Sequence, residues 1–246
     1  MQDSELDLTP LANCSICPYK QSLKTEYKCK PGDACVMVKS GRQIDRFFKN
    51  NPAFAVEYIH DEFWEMRAIA TRYSPQEKII ELIDDPDEAV RRAVAYRLPI
   101  DQLDKMLTDS DREVRITVAD RIPQDKLEKL ANDEDYLVRA FVSKRLPEGR
   151  LFRMITDPDN HVRKIVAQRL PKESVMLMSN DGDPDIRRIV AERADPKALI
   201  EMVNDKDWMV RVTVAEYIDP SFLSHLENDQ DEEVRDMVRR RRLEID

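Results

Sequence analysis

A single 24-residue pattern dominates this 246-residue chain and leaves few folds open to it. Aspartate stands at Asp85, Asp109, Asp133, Asp157, Asp181, Asp205 and Asp229, each 24 residues after the last. Two residues further on it recurs every time, at Asp87, Asp111, Asp135, Asp159, Asp183, Asp207 and Asp231. An apolar-Arg pair follows (Val90-Arg91 to Val234-Arg235), then a second apolar column from Val94 to Val238, and a small-residue column from Ala95 to Ala215. A fixed period in the range of about 20 to 50 residues is the signature of a solenoid, in which each unit buries its apolar face only against its neighbours.

Each unit parses locally. The second Asp is a natural helix N-cap, and Val90, Val94 and Leu98 recur at helical spacing, so a helix is expected from that Asp to the "RLP" motif. Pro99, Pro123, Pro147 and Pro171 break it; in the last units the break moves one place, to Pro196 and Pro220, which reads as a turn one residue longer. Between the proline and the next Asp, Leu103 and Met106 and their equivalents repeat at spacing three. That stretch has room for two turns of α-helix or a 3₁₀ segment, and its Leu and Met content argues against a strand. Upstream, "NNPAFAVEYIHDEFWEMRAIATRYSP" reads as a degraded copy, with Asp61 as the cap, Ala70 and Arg72 for the small residue and following Arg, and Ser74-Pro75 as the break. The basic "VRRRRLEID" reads as a C-terminal cap.

The D-x-D pairs invite a calcium reading, but calcium needs six to eight oxygens and only Asp181-Gly182-Asp183 has a glycine at the turn. The structural role is favoured: one Asp caps the helix, and the other accepts from the Arg six residues on or from an adjacent repeat. The Arg91 column and the second column, Arg97, Arg121, Arg145, Arg169 and Arg193, then hold the repeats in register. The net charge of -9 argues against a nucleic-acid or anionic-lipid partner. No apolar run is long enough to span a membrane and the N-terminus lacks secretory order, so a cytoplasmic protein is expected. No phosphate loop or catalytic constellation is present, and His60, His161 and His225 share no ligand spacing; no enzymatic activity is expected.

All four cysteines, Cys14, Cys17, Cys29 and Cys35, fall in the first 35 residues and form one group. In a reducing cytosol such a group more often holds metal than forms disulfides. Four thiolates satisfy a tetrahedral zinc site and an iron-sulfur cluster alike, and the spacing decides between neither. The segment from Cys14 to Arg42 is basic (Lys20, Lys24, Lys28, Lys30, Lys39 and Arg42 against Glu26 and Asp33), which favours an anionic cluster or an acidic partner. Lys28 and Lys30 flank Cys29, so their charge is expected to raise the potential of a bound cluster.

The D-x-D-x-x-V-R-x-x-V-A-x-R-L-P unit resembles the leucine-rich repeat variant, and with the preceding cysteines the chain is similar to the iron-sulfur leucine-rich repeat variant proteins of nitrogen-fixing bacteria. The resemblance covers essentially the whole chain. It implies an all-α, right-handed superhelical solenoid of alternating α- and short 3₁₀-helices without β-structure, and a 4Fe-4S cluster on Cys14, Cys17, Cys29 and Cys35, with zinc as the alternative. The expected organisation is a cluster module over residues 1–48 and a solenoid over 49–246 that binds a protein partner. Partner contacts are assigned to the positions that vary while their surroundings are constant: Glu113, Leu137, His161, Asp185, Met209 and Glu233.

Overall fold

The structure, a computed structural model, describes residues 10–24, 26 and 28–245; the remainder of the expected 1–48 module, residues 1–9, 25 and 27, lies outside the described residues. Among the described residues, ten α-helices alternate with 3₁₀ segments: α1 Gly41–Asn50, α2 Trp64–Tyr73, the single turn α3 Gln76–Ile79, α4 Glu88–Arg97, α5 Arg112–Arg121, α6 Tyr136–Arg145, α7 Asn160–Arg169, α8 Pro184–Arg193, α9 Trp208–Tyr217 and α10 Glu232–Ile245. The only β-pairing among the described residues is one isolated bridge, Lys30 to Ala34. The helices fall into two compact units, Met1–Ile122 and Pro123–Asp246.

Each repeat helix from α4 to α9 is ten residues long because both of its ends are set locally. At the start, the second Asp of each pair accepts a backbone N–H two residues on, as Asp87 does from Ala89 at 3.0 Å and Asp159 from His161 at 2.9 Å. At the end, Leu98 is extended (ψ 146) because a following proline disfavours helical backbone. Where the proline is displaced, at Pro196 and Pro220, the helices still stop at Arg193 and Tyr217, with Ala194 and Ile218 extended. The moved proline therefore does not lengthen the helix. Val90, Val94, Leu98 and Leu103 of one repeat are fully buried, and Met106 is 2% exposed. Each such side chain contributes about 1.5–3 kcal/mol on removal from water.

The two aspartates of a pair do different work. The first one accepts the N–H of the second, Asp181 from Asp183 at 2.9 Å for instance. Its carboxylate also takes a two-pronged contact from the Arg 18 residues earlier: Arg67–Asp85, Arg91–Asp109, Arg139–Asp157, Arg163–Asp181, Arg187–Asp205 and Arg211–Asp229, all at 2.7–3.0 Å. The Asp six residues before each Arg offers only its carbonyl, as Asp85 does to Arg91 at 2.8 Å. Of the two pairings open in the sequence, the carboxylate bond is the one between repeats. The second Arg column donates to the C-terminal carbonyls of the preceding helix, Arg97 to Thr71 and Ser74, Arg193 to Ala167 and Leu170, and Arg241 to Ala215 and Ile218. These carbonyls have no intrahelical partner, and a cation at that end complements the helix dipole.

The degraded repeat is corrected in register. Asp61 is not the cap: it occupies the first-Asp position and accepts the Phe63 N–H at 2.8 Å, while Phe63 stands at the N-cap without a side-chain cap bond. Fully buried Thr71 takes the small-residue position expected for Ala70, Tyr73 stands where Arg72 was expected as the following Arg, and Arg67, 24 residues before Arg91, is the ladder arginine.

Candidate metal centre

The cysteine segment precedes α1 and packs against it through aromatic rings. Tyr19 lies 5.8 Å from Phe47 and 5.2 Å from Phe54, and its hydroxyl is 2.8 Å from that of Tyr58. The side-chain amide of Asn51 donates to the Lys28 carbonyl at 2.8 Å, that of Gln43 donates to the Pro10 carbonyl at 2.8 Å, and the Cys35 N–H donates to the Gln43 carbonyl at 3.1 Å. Phe63 and Trp64 meet edge to face with centroids 6.1 Å apart, and Lys39 lies 5.6 Å above the Phe63 ring.

Cys29 and Cys35 flank a tight turn. Asp33 N–H donates to the Lys30 carbonyl at 3.1 Å, Lys30 and Ala34 exchange two 2.8 Å hydrogen bonds, and Gly32 has φ 78. Pro at the second and a left-handed Gly at the third position define a type II turn. The five residues between these cysteines, wide for a paired knuckle, are thereby folded so that both cysteines line one cavity. The Pro31-Gly32 dipeptide was the available signal for this.

All four cysteines, free of disulfides, line one small cavity with Ala12, Tyr19, Pro31, Ala34, Val36, Met37 and Phe47. About 20 Å³ is enclosed between them, and among the described residues no three His, Cys, Asp or Glu side chains are arranged to hold a metal ion. The cysteines are grouped around the cavity, not focused on one point. Burial pushes the Cys29 thiol up, with the neighbouring Cys17, Cys35 and Cys14 adding to it and Lys24 opposing. Burial likewise raises Cys35, against the Met37 N–H that donates to its sulfur at 3.4 Å. Thiols held protonated in a desolvated group release protons when a metal takes them, so the donor set fits a tetrathiolate site whose side chains settle on binding.

The lysines facing the cavity are Lys20, Lys24 and Lys30. Lys28, expected to act beside Lys30, is instead paired with Glu26 at 2.7 Å and does not line it. The three histidines lie apart on the surface: His60 is 3.2 Å from Glu81, and His161 meets the Tyr136 ring edge to face at 6.5 Å. The proposed contact positions are N2 sites, where the Asp cap takes the backbone N–H whatever the side chain, as Asp207 does at Met209. Their side chains are free to vary for that reason; His161, Asp185, Met209 and Glu233 are exposed, Glu113 and Leu137 half-buried.

Helical repeats locked by an Asp–Arg ladder and preceded by a cysteine-lined module define a repeat scaffold with a metal-type N-terminal segment. Residues 10–57, which include every cysteine, match the family of the leucine-rich repeat variant protein FeS4 cluster. A solved leucine-rich repeat variant, described as having a novel repetitive protein structural motif, is 55% identical, covers 94% of this chain and 99% of its own, and superposes with a TM-score of 0.89. The chain belongs to this leucine-rich repeat variant family. It is also 33% identical over 95 residues to an uncharacterized 27.7 kDa protein of the nifB 3' region of Rhodobacter capsulatus, spanning 38% of each chain. No described helix is long and apolar enough to cross a membrane.

Proposed function

We propose that the chain is a cytoplasmic, non-enzymatic interaction scaffold that carries a 4Fe-4S cluster on Cys14, Cys17, Cys29 and Cys35 and uses it for redox or oxygen sensing. The observation that carries this reading is the match of residues 10–57 to an FeS4 cluster family together with the four free thiols lining one cavity. When bound, such a cluster supplies one-electron exchange at a potential set by its surroundings. The chain's own residues supply the rest: four thiolates, an apolar wall of buried Phe47, Val36 and Ala34, and the charges of Lys20, Lys24 and Lys30. A purely structural staple needs no such cationic rim. The repeats provide the extended surface on which a protein partner docks.

Anaerobic purification with iron, zinc and sulfide analysis, a visible spectrum and EPR before and after reduction tests the assignment. About four irons with sulfide and a reduction-dependent EPR signal are expected. Replacing any one of the four cysteines by Ser should strip the iron while leaving the helical circular-dichroism signal of the repeats. One zinc and a colourless protein overturn the redox reading and leave a scaffold with a structural site.

A further inference from the structure

Three helices of the first unit, α1, α2 and α4, enclose a groove of about 920 Å³, far larger than the cysteine cavity. Its lining carries four arginines, Arg42, Arg72, Arg92 and Arg97, against two carboxylates, Asp45 and Glu65. Trp64 and Tyr96 stand on its walls 43% and 60% exposed, in a chain whose net charge is -9. The groove is a cationic, aromatic island on an acidic protein.

The two carboxylates do not neutralise it. Glu65 lies against the N-terminus of α1, where a Cβ at Gly41 would collide with its carboxylate, so the glycine leaves room for an anion at the positive end of that helix. Asp45 accepts from the Tyr73 hydroxyl at 3.0 Å and sits 3.6 Å from Arg72. Arg97 is committed to the Thr71 and Ser74 carbonyls. Two cations remain: exposed Arg92 makes no ion pair among the described residues, and Arg42 reaches only the Gly32 carbonyl, at 3.5 Å. Tyr96 lies one helical turn from Arg92 on α4, so a guanidinium and an aromatic face present themselves together.

We propose that this groove is the docking site for an acidic peptide segment of a partner protein, in which glutamate or aspartate side chains pair with Arg92 and Arg42 and an aromatic or aliphatic side chain packs between Tyr96 and Trp64. The proposal deepens the scaffold reading and rests on it, but not on the cluster. A protein segment, and not a nucleic acid, fits the mixed lining: Asp45 and Glu65 would repel a continuous phosphate backbone, whereas a peptide places its charges singly.

The test is fluorescence polarisation on the full chain with three labelled probes: a peptide of single glutamates spaced by serines around a central tryptophan, its lysine counterpart, and a single-stranded oligothymidylate of similar length. The glutamate peptide should bind, weaken with added salt, and lose at least about tenfold in affinity in Arg92→Glu, the scale of one well-placed charge contact. Tyr96→Ala should weaken it at unchanged salt dependence, and Arg92→Lys should retain most binding. Both side chains are exposed, so folding is unaffected, and circular dichroism on each variant verifies it. Absent binding, equal affinity in Arg92→Glu, or tighter binding of the oligothymidylate overturns the proposal. Iron content measured on the same samples keeps this outcome separate from the cluster assignment.

Discussion

Arg187 of α8 holds Asp205 of the next repeat through two hydrogen bonds of 2.7 and 2.9 Å, with the Arg side chain 3% and the Asp side chain 8% exposed. The same guanidinium donates to the Asp181 carbonyl at 2.8 Å, so a single side chain ties two successive turns together. Removing one partner of such a buried pair leaves the other charge without compensation. Arg187→Met is therefore expected to destabilise the second unit by about 3–5 kcal/mol, whereas Arg187→Met with Asp205→Leu should recover much of that loss. Urea unfolding of the single and double variants checks this; an additive double variant would show that the pair is not coupled.

Stability should fall on acidification through the same ladder. Burial opposes ionisation of Asp205 and Asp229, but the hydrogen bonds from Arg187 and Arg211 and from the Asp207 and Asp231 N–H groups outweigh it, and both carboxyls lie below their ordinary value. A carboxyl whose folded pKa is depressed stabilises the fold fully above its unfolded pKa of about 3.9 and loses that contribution as pH drops through the folded value. Thermal unfolding is thus expected to be flat near neutrality and to drop steeply below about pH 4, with a shallower acid limb in Asp205→Asn.

Among the helix caps, Asp111 accepts from both Glu113 and Val114 N–H groups, at 2.9 and 3.2 Å. Asp111→Ala should cost about 1 kcal/mol and Asp111→Ser much less, since Ser also caps. Equal losses from the two substitutions, measured by chemical denaturation, would mean the cap bond is not what matters there.

Gly32 at φ 78 closes the turn that brings Cys29 to Cys35. Ala at this position strains the backbone by about 1–2 kcal/mol, and that strain falls on the cysteine segment alone. Gly32→Ala is expected to lower iron retained per chain after exposure to a chelator while leaving the repeat melting transition in place. Unaltered retention would show that the turn does not set the cysteine geometry.

Lysines at the cavity should tune the potential of a bound cluster by position, not by proximity in sequence. Lys24→Gln and Lys30→Gln remove charge from the cavity wall and should lower the midpoint potential, while Lys28→Gln, whose side chain pairs with Glu26, should leave it nearly unchanged. Redox titration of the three variants discriminates them; a shift in Lys28→Gln as large as the others would refute the assignment.

The amino-acid sequence by itself determined the period, the alternation of long and short helices, the buried columns and the grouping of the cysteines. These follow from contacts within a few residues, such as Asp159 capping the His161 N–H or Pro99 forcing Leu98 out of helical backbone, and such contacts are written directly in local order. Only the tertiary structure decided that Arg187 reaches forward to Asp205 and not back to the Asp181 carboxylate, that Arg67 begins the ladder, and that Lys24 faces the cavity while Lys28 does not. It also placed Arg92 and Tyr96 on the groove with Arg42 and Trp64. Those relations depend on how one turn is stacked and rotated on the next, a matter of packing between residues distant in the chain, and a repeating pattern is compatible with more than one such pairing until the helices are in place.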